Sequence, residues 1–121
     1  YSKYPGAIYT ASKFVNVNLP ANSKIFLFRD TRGFFLEREY VWGDPLLQNF
    51  IDYSSFKNED DFYNELRKLG ITHLLDNNEP NWGYEAADRY TGRIISLKGR
   101  MLEKYSKSIY DKGNIQIYEL K

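Results

Sequence analysis

Four consecutive apolar residues, Ile25 to Phe28 in "KIFLF", constrain the fold more than any other feature of this 121-residue sequence. A strand with one wet face alternates apolar and polar side chains. A short run without alternation reads instead as a strand covered on both faces. "ITHLLD", residues 71–76, has the same character, with a histidine inside it. Strands of this kind need a packed layer on each side of the sheet, and the neighbouring segments offer helices for that purpose.

"NEDDFYNELRKLG" is the clearest helix. Asn58 can cap it, and Glu59, Asp60 and Asp61 fall in the first turn, where the helix dipole favours negative charge. Phe62, Leu66 and Leu69 form its apolar stripe, Arg67 and Lys68 complement the last turn, and Gly70 supplies a left-handed stop. Upstream, Ile8, Ala11, Val15 and Leu19 recur with a helical period between Pro5-Gly6 and Pro20. Downstream, Ile94, Leu97, Met101 and Tyr105 do the same, although Gly99 costs that helix ~1 kcal/mol relative to alanine. "TRGFFLEREYVW" reads as a second extended run after a turn at Gly33. Asp44-Pro45 opens a helix or turn with Leu46, Leu47 and Phe50 on its apolar face. "NNEPNWGYEA" is a loop, and "SIYDKGNIQIYELK" a hairpin turning at Gly113 or Asn114. The predicted class is α/β: one domain over residues 1–121, with a mixed, mostly parallel sheet, helices packed on it and a C-terminal antiparallel hairpin, Rossmann-like. The first strand and the 71–76 strand are expected to be parallel, with an antiparallel edge at the C-terminus.

Composition narrows the function. Seventeen Lys+Arg against 16 Asp+Glu leave a net charge of +1, which gives no case for steering toward nucleic acid or an anionic membrane. The absence of cysteine removes thiol chemistry, and a single histidine leaves no ligand set for zinc, so neither metal nor cofactor is expected. The apolar runs fall far short of the ~20 residues that span a bilayer, and no signal-peptide pattern is present. The chain opens "YSKYPG" with no initiator Met, so either a segment has been removed by processing or, the favoured reading, this is an excised piece of a longer protein.

Six groups of residues are candidates for chemistry. His73 shares a strand face with Ile71 and Leu75 and has no second histidine or nucleophile motif beside it, so it reads as structural. Glu59, Asp60 and Asp61 read as dipole complements rather than a cation site. Glu37 and Glu39 flank Arg38 and would face one side of a strand, a solvated face rather than the opposed pair of a glycoside hydrolase. Arg29, Asp30 and Arg32 lie where the first strand ends, the place where open α/β sheets bind ligands. They are the candidate binding edge for phosphate or carboxylate, with a surface ion-pair cluster as the plainer alternative. Tyr40, Trp42, Trp82 and Tyr84 either form a stacking platform for a sugar ring or an apolar chain or, the more ordinary reading, cover the ends of the sheet. "KYSKSIYDK" interleaves tyrosine with lysine as a single-strand nucleic-acid binder would, but the near-zero net charge argues against that partner.

The succession of "NLP" at 18–20, "KIFLF" at 24–28, "RGFF" at 32–35 and "LRKLGITHLL" at 66–75 resembles the C-terminal tail of bacterial polytopic glycosyltransferases of the GT-C type, the group that includes the protein mannosyltransferases. The resemblance covers roughly residues 10 to 77. It implies a domain on the extracytoplasmic face of the membrane, attached to many membrane helices that transfer sugar from a polyprenyl-phosphate donor. It also implies that the catalytic acids lie in loops outside this sequence, so no catalytic residue carries over. This chain would be a non-catalytic accessory domain. Its partners would be the membrane part of the same chain and an acceptor glycan or lipid-linked sugar. The alternative is a self-contained module binding a nucleotide or other phosphorylated small molecule at the strand end.

Overall fold

The computed structural model describes residues 6–28, 36–43, 51–77 and 89–121. Helix α1 (Ala7–Asn18) leads into β1 (Lys24–Leu27) and β2 (Glu39–Trp42). A 3-10 turn (Tyr53–Ser55) precedes α2 (Glu59–Lys68) and β3 (His73–Asn77). Helix α3 (Arg89–Tyr105) is followed by the hairpin β4 (Ser106–Lys112) and β5 (Ile115–Leu120). The five-stranded sheet has the order β2-β1-β3-β5-β4. β1 is parallel to both β2 and β3, whereas β5 is antiparallel to β3 and to β4. Four strands therefore share one direction and only β5 opposes them. The expected parallel pairing of β1 with β3 is present. The C-terminal edge is β4, and β5 lies inside the sheet.

Both faces of the central strands are covered, as the apolar run requires. Ile25, Leu27 and Leu75 face α1 with Ile115 and Ile117. Phe26, Phe28 and Leu74 face the opposite layer, where they meet Phe62 and Leu66 of α2 and Ile94, Leu97 and Met101 of α3. Five buried aromatic rings gather in this layer: Phe26, Phe28, Tyr53, Phe56 and Phe62. Phe56 stacks on Phe62 with ring centroids 5.3 Å apart, and Tyr53 meets Phe62 edge-on at 5.5 Å. The buried Tyr53 hydroxyl donates to the Gly43 carbonyl, so its polar end is satisfied.

Local signals explain where the elements stop. Asn58 Oδ1 accepts from the Asp61 amide at 3.1 Å, and Asp61 returns a carboxylate to the Lys57 amide at 2.8 Å, closing the first turn of α2. At its other end Gly70 takes φ 78°, its amide reaches the Arg67 carbonyl, and the Ile71 amide reaches that of Leu66. Leu66 and Ile71 meet in the core, which completes a Schellman stop and aims the chain into β3. Gly113 and Asn114 both have positive φ (60° and 67°), as the hairpin turn demands. The 44–50 segment with Asp44-Pro45, and the loop beyond Asn77, lie outside the described residues.

Two glycines separate packing from propensity. A Cβ on Gly43 would fall 1.9 Å from Cζ of the Phe26 ring, whereas one on Gly99, on the exposed side of α3, would meet nothing within 4 Å. Gly43→Ala is expected to destabilise by about 1–3 kcal/mol through overpacking. Gly99→Ala should stabilise by about 0.5–1 kcal/mol through helix propensity. Urea unfolding of the two variants measures both, and equal signs would refute this account.

Candidate functional site

The strand order places a topological switch at β1. The chain leaves β1 for β2 on one side, then crosses back to β3 on the other. The carboxyl ends of β1 and β3 therefore flank the position where ligands settle in open α/β sheets. Phe28 follows β1 there, pairing through its amide with the Leu75 carbonyl at 2.9 Å, and Asp76 and Asn77 close β3. Asp76 alternates onto the α3 side, where it forms a buried ion pair with Lys98. Lys98 Nζ also sits 5.3 Å from the Phe28 ring centroid. Asp76 is fully buried and Lys98 only 7% exposed. Each makes further contacts, so neither group is free to meet a ligand unaided.

Arg29, Asp30 and Arg32 follow β1 directly in sequence, but they lie outside the described residues. So do Trp82 and Tyr84. What the described part of the switch contains is the Asp76–Lys98 pair, which the sequence reading passed over. One signal was available. Lys98 stands between Leu97 and Met101 on the apolar stripe of α3, and a charged residue on a core stripe needs a buried counter-charge. Burial of the pair couples α3 to the end of β3.

The other weighed residues have structural partners. His73 is 3% exposed. Thr72 Oγ1 accepts from the Lys24 amide at 2.9 Å and lies 3.2 Å from the Lys24 carbonyl and 2.8 Å from His73 Nδ1. The hydroxyl has one hydrogen. If it is given to the carbonyl, Nδ1 must donate to Oγ1 and Nε2 is left as a bare acceptor. That assignment leaves a buried lone pair unmet rather than a buried N–H. Burial holds the His73 pKa below the ordinary 6.5, and its cross-strand neighbour Glu119 opposes that shift more weakly.

Asp60 accepts from Lys104 at 2.8 Å and from the Tyr105 hydroxyl at 2.6 Å. These bonds, that of Lys104 foremost, hold its carboxyl below the usual range. Glu59 pairs with Arg100 at 3.4 Å. The acidic run therefore serves the α2 N-terminus and the α2–α3 contact. Among the described residues no cluster of three potential metal ligands occurs.

Glu37 and Glu39 do not act as a pair. Glu39 meets Lys24 at 3.4 Å, while Glu37 precedes the strand. Arg38 between them caps α1: its guanidinium donates to the carbonyls of Asn16, Leu19 and Pro20 at 2.8–2.9 Å. The Asn16 carbonyl is one that the helix end leaves without an intrahelical partner, and those of Leu19 and Pro20 follow where the chain leaves the helix. Tyr40 packs beneath α1, and Trp42 is 47% exposed at the sheet edge. Tyr105 stacks on Tyr63 at 3.8 Å and Tyr110 packs on Phe14 at 4.9 Å, so neither ring of "KYSKSIYDK" is presented to a nucleobase.

The fold defines the class: a single small α/β domain with a mixed five-stranded sheet. No family model matches the sequence, and no characterised protein matches it significantly in sequence. Among solved structures, the chain is similar to the C-terminal globular domain of an oligosaccharyltransferase from Archaeoglobus fulgidus. The TM-score is 0.61 at 12% identity, over 99% of this chain and 100% of that one. At that identity the likeness is one of fold.

Two measurements test the buried groups. Asp76→Ala strands Lys98 and is expected to cost about 3–5 kcal/mol in urea unfolding, whereas the double variant Asp76→Leu/Lys98→Met should be near neutral. A comparable loss in the double variant would show that the pair is not simply a buried couple. For His73 the unfolded chain binds a proton below 6.5 before the native state does, so stability falls as pH drops through that window. His73→Asn should flatten this part of the pH profile, and an unchanged slope would assign it elsewhere.

Proposed function

We propose that this chain is a non-catalytic, extracytoplasmic accessory domain of an integral-membrane glycosyltransferase that draws on a polyprenyl-phosphate-linked sugar. The observation that carries the reading is the end-to-end likeness of fold to the C-terminal globular domain of an oligosaccharyltransferase. The motif order from Asn18 to Leu75 supports the same group independently. The structural neighbour comes from an archaeon, so the proposal is for the wider GT-C group and not for its bacterial members alone. In this reading the membrane part of the same chain holds the catalytic acids, and this domain borders the acceptor or the lipid-linked donor. The rival reading, a phosphorylated small molecule at the switch point, is disfavoured because Asp76 already neutralises the described cation there.

The test is made on the full-length gene product. Its reading frame should encode several apolar segments of about 20 residues, and membranes containing it should transfer sugar from a polyprenyl-phosphate donor. The 121-residue chain alone should be inactive with that donor and give no heat with a panel of nucleotides. A frame without such segments, or transfer by the chain alone, overturns the proposal. Nucleotide binding by the chain would favour the rival.

A further inference from the structure

The layers on the two faces of the sheet are unequal among the described residues. Helices α2 and α3 and the 3-10 turn cover one face, and α1 lies on the other. Beside α1, between its outer flank and residues 36–37, is an open groove of about 490 Å³. It is lined by Tyr9, Ser12, Lys13, Asn16, Val17, Leu36 and Glu37. That size falls within the range of small-ligand sites, about 300–1,000 Å³. Tyr9, Ser12, Lys13 and Asn16 follow the i, i+3, i+4, i+7 spacing of one helix stripe, adjacent to the stripe that packs on the sheet. The groove's second wall is fixed, because the Glu37 amide donates to Asn16 Oδ1 at 2.7 Å and Arg38 caps the same helix end.

The lining combines features that seldom coincide by accident. Its apolar part is exposed: Tyr9 is 42% and Val17 78% accessible, two of the three large hydrophobics exposed among the described residues. Among the described lining residues the charges cancel, with one cation (Lys13) and one anion (Glu37) on opposite walls. Lys13 Nζ also lies over the Tyr9 ring, 5.7 Å from its centroid, which places a donor on one face of the aromatic surface and leaves the other for contact. Ser12 contributes a buried hydroxyl with no hydrogen-bond partner, 1% exposed in a residue that forms part of the wall. An unmet buried hydroxyl is unfavourable, and this one belongs to a residue of the groove's wall.

The geometry points to a binding subsite for a neutral saccharide unit in this groove. A pyranose has an apolar C–H face suited to Tyr9 and hydroxyls that both donate and accept, which match Lys13, Glu37 and Ser12. A phosphate or carboxylate ligand matches poorly, since Glu37 opposes the charge that Lys13 attracts. A purely apolar occupant would desolvate that charged pair without replacing its hydrogen bonds. The inference takes from the proposed function only the source of the sugar, an acceptor glycan or lipid-linked donor. The binding itself rests on the groove.

The test is ¹H–¹⁵N NMR of the 121-residue chain titrated with methyl hexopyranosides and with a hexose 1-phosphate as the charged counterpart. Neutral glycosides are expected to shift amides around Tyr9, Lys13, Asn16, Leu36 and Glu37, and to bind more tightly than the phosphorylated sugar. Tyr9→Ala, at an exposed position, should keep the fold and weaken binding about tenfold, the effect of losing one aromatic contact. Glu37→Gln should narrow the gap between neutral and phosphorylated sugars. The inference is overturned if no neutral glycoside shifts the groove, if only the phosphorylated sugar does, or if Tyr9→Ala binds as the parent does. Such a result leaves the transferase proposal standing, because that depends on the reading frame and on transfer by the full-length product. A frame without membrane segments would remove the transferase and leave groove binding measurable.

Discussion

Everything in this domain is arranged around the requirement that β1 be dry on both faces. Ile25 and Leu27 point one way, Phe26 and Phe28 the other, and all four are fully buried. One face is closed by α1, which precedes β1 in the chain. The other is closed by α2 and α3, which follow β2 and β3. The crossing from one side of β1 to the other creates the switch point as a by-product. The apolar run thus determines both the layer architecture and the place where the sheet could present chemistry.

The strand ends at that place are neutralised internally. A carboxylate at the end of β3 and an ammonium on α3 compensate one another in a site where either alone would be costly. Phe28 adds its ring face to the same cation. This explains why a phosphate reader is a poor description of the described part of the switch: a ligand anion would compete with Asp76 for Lys98 and leave the carboxylate unpaired. The arrangement makes a rigid connection between α3 and the sheet.

Local chemistry was legible in the sequence wherever one residue acts on its chain neighbours. The Asn58 cap, the Gly70 stop and the Gly113-Asn114 turn follow from backbone requirements a few residues long, and each occurs as expected. His73 was read as structural from its strand phase, and its network with Thr72 and Lys24 accounts for the burial. Contacts between distant segments were not legible. Arg38 looked like one charge in a solvated run, yet it closes a helix about 20 residues upstream. Its role depends on the 36–38 segment returning beside α1, and no local pattern states that. Arg29, Asp30 and Arg32, the binding edge drawn from the β1 end, fall outside the described residues.

The contrast between the two faces carries the functional consequence. Buried polar groups on the α2–α3 face, the Tyr53 hydroxyl and the Asp76–Lys98 pair, have partners inside the fold. Among the described residues, the α1 face carries one helix of 12 residues over a sheet that extends to Trp42 at its edge, and there exposure accumulates: Tyr9, Val17 and Trp42. The buried hydroxyl of Ser12 and the bare Nε2 of His73 also belong to this side. A thin layer cannot satisfy every group beneath it as well as a thick one, and the unmet capacity collects where the layer ends. Selection for stability alone would favour Ala at position 12 and polar residues at 9 and 17. Tyrosine, serine and valine placed around one groove are what a surface that meets something else would carry.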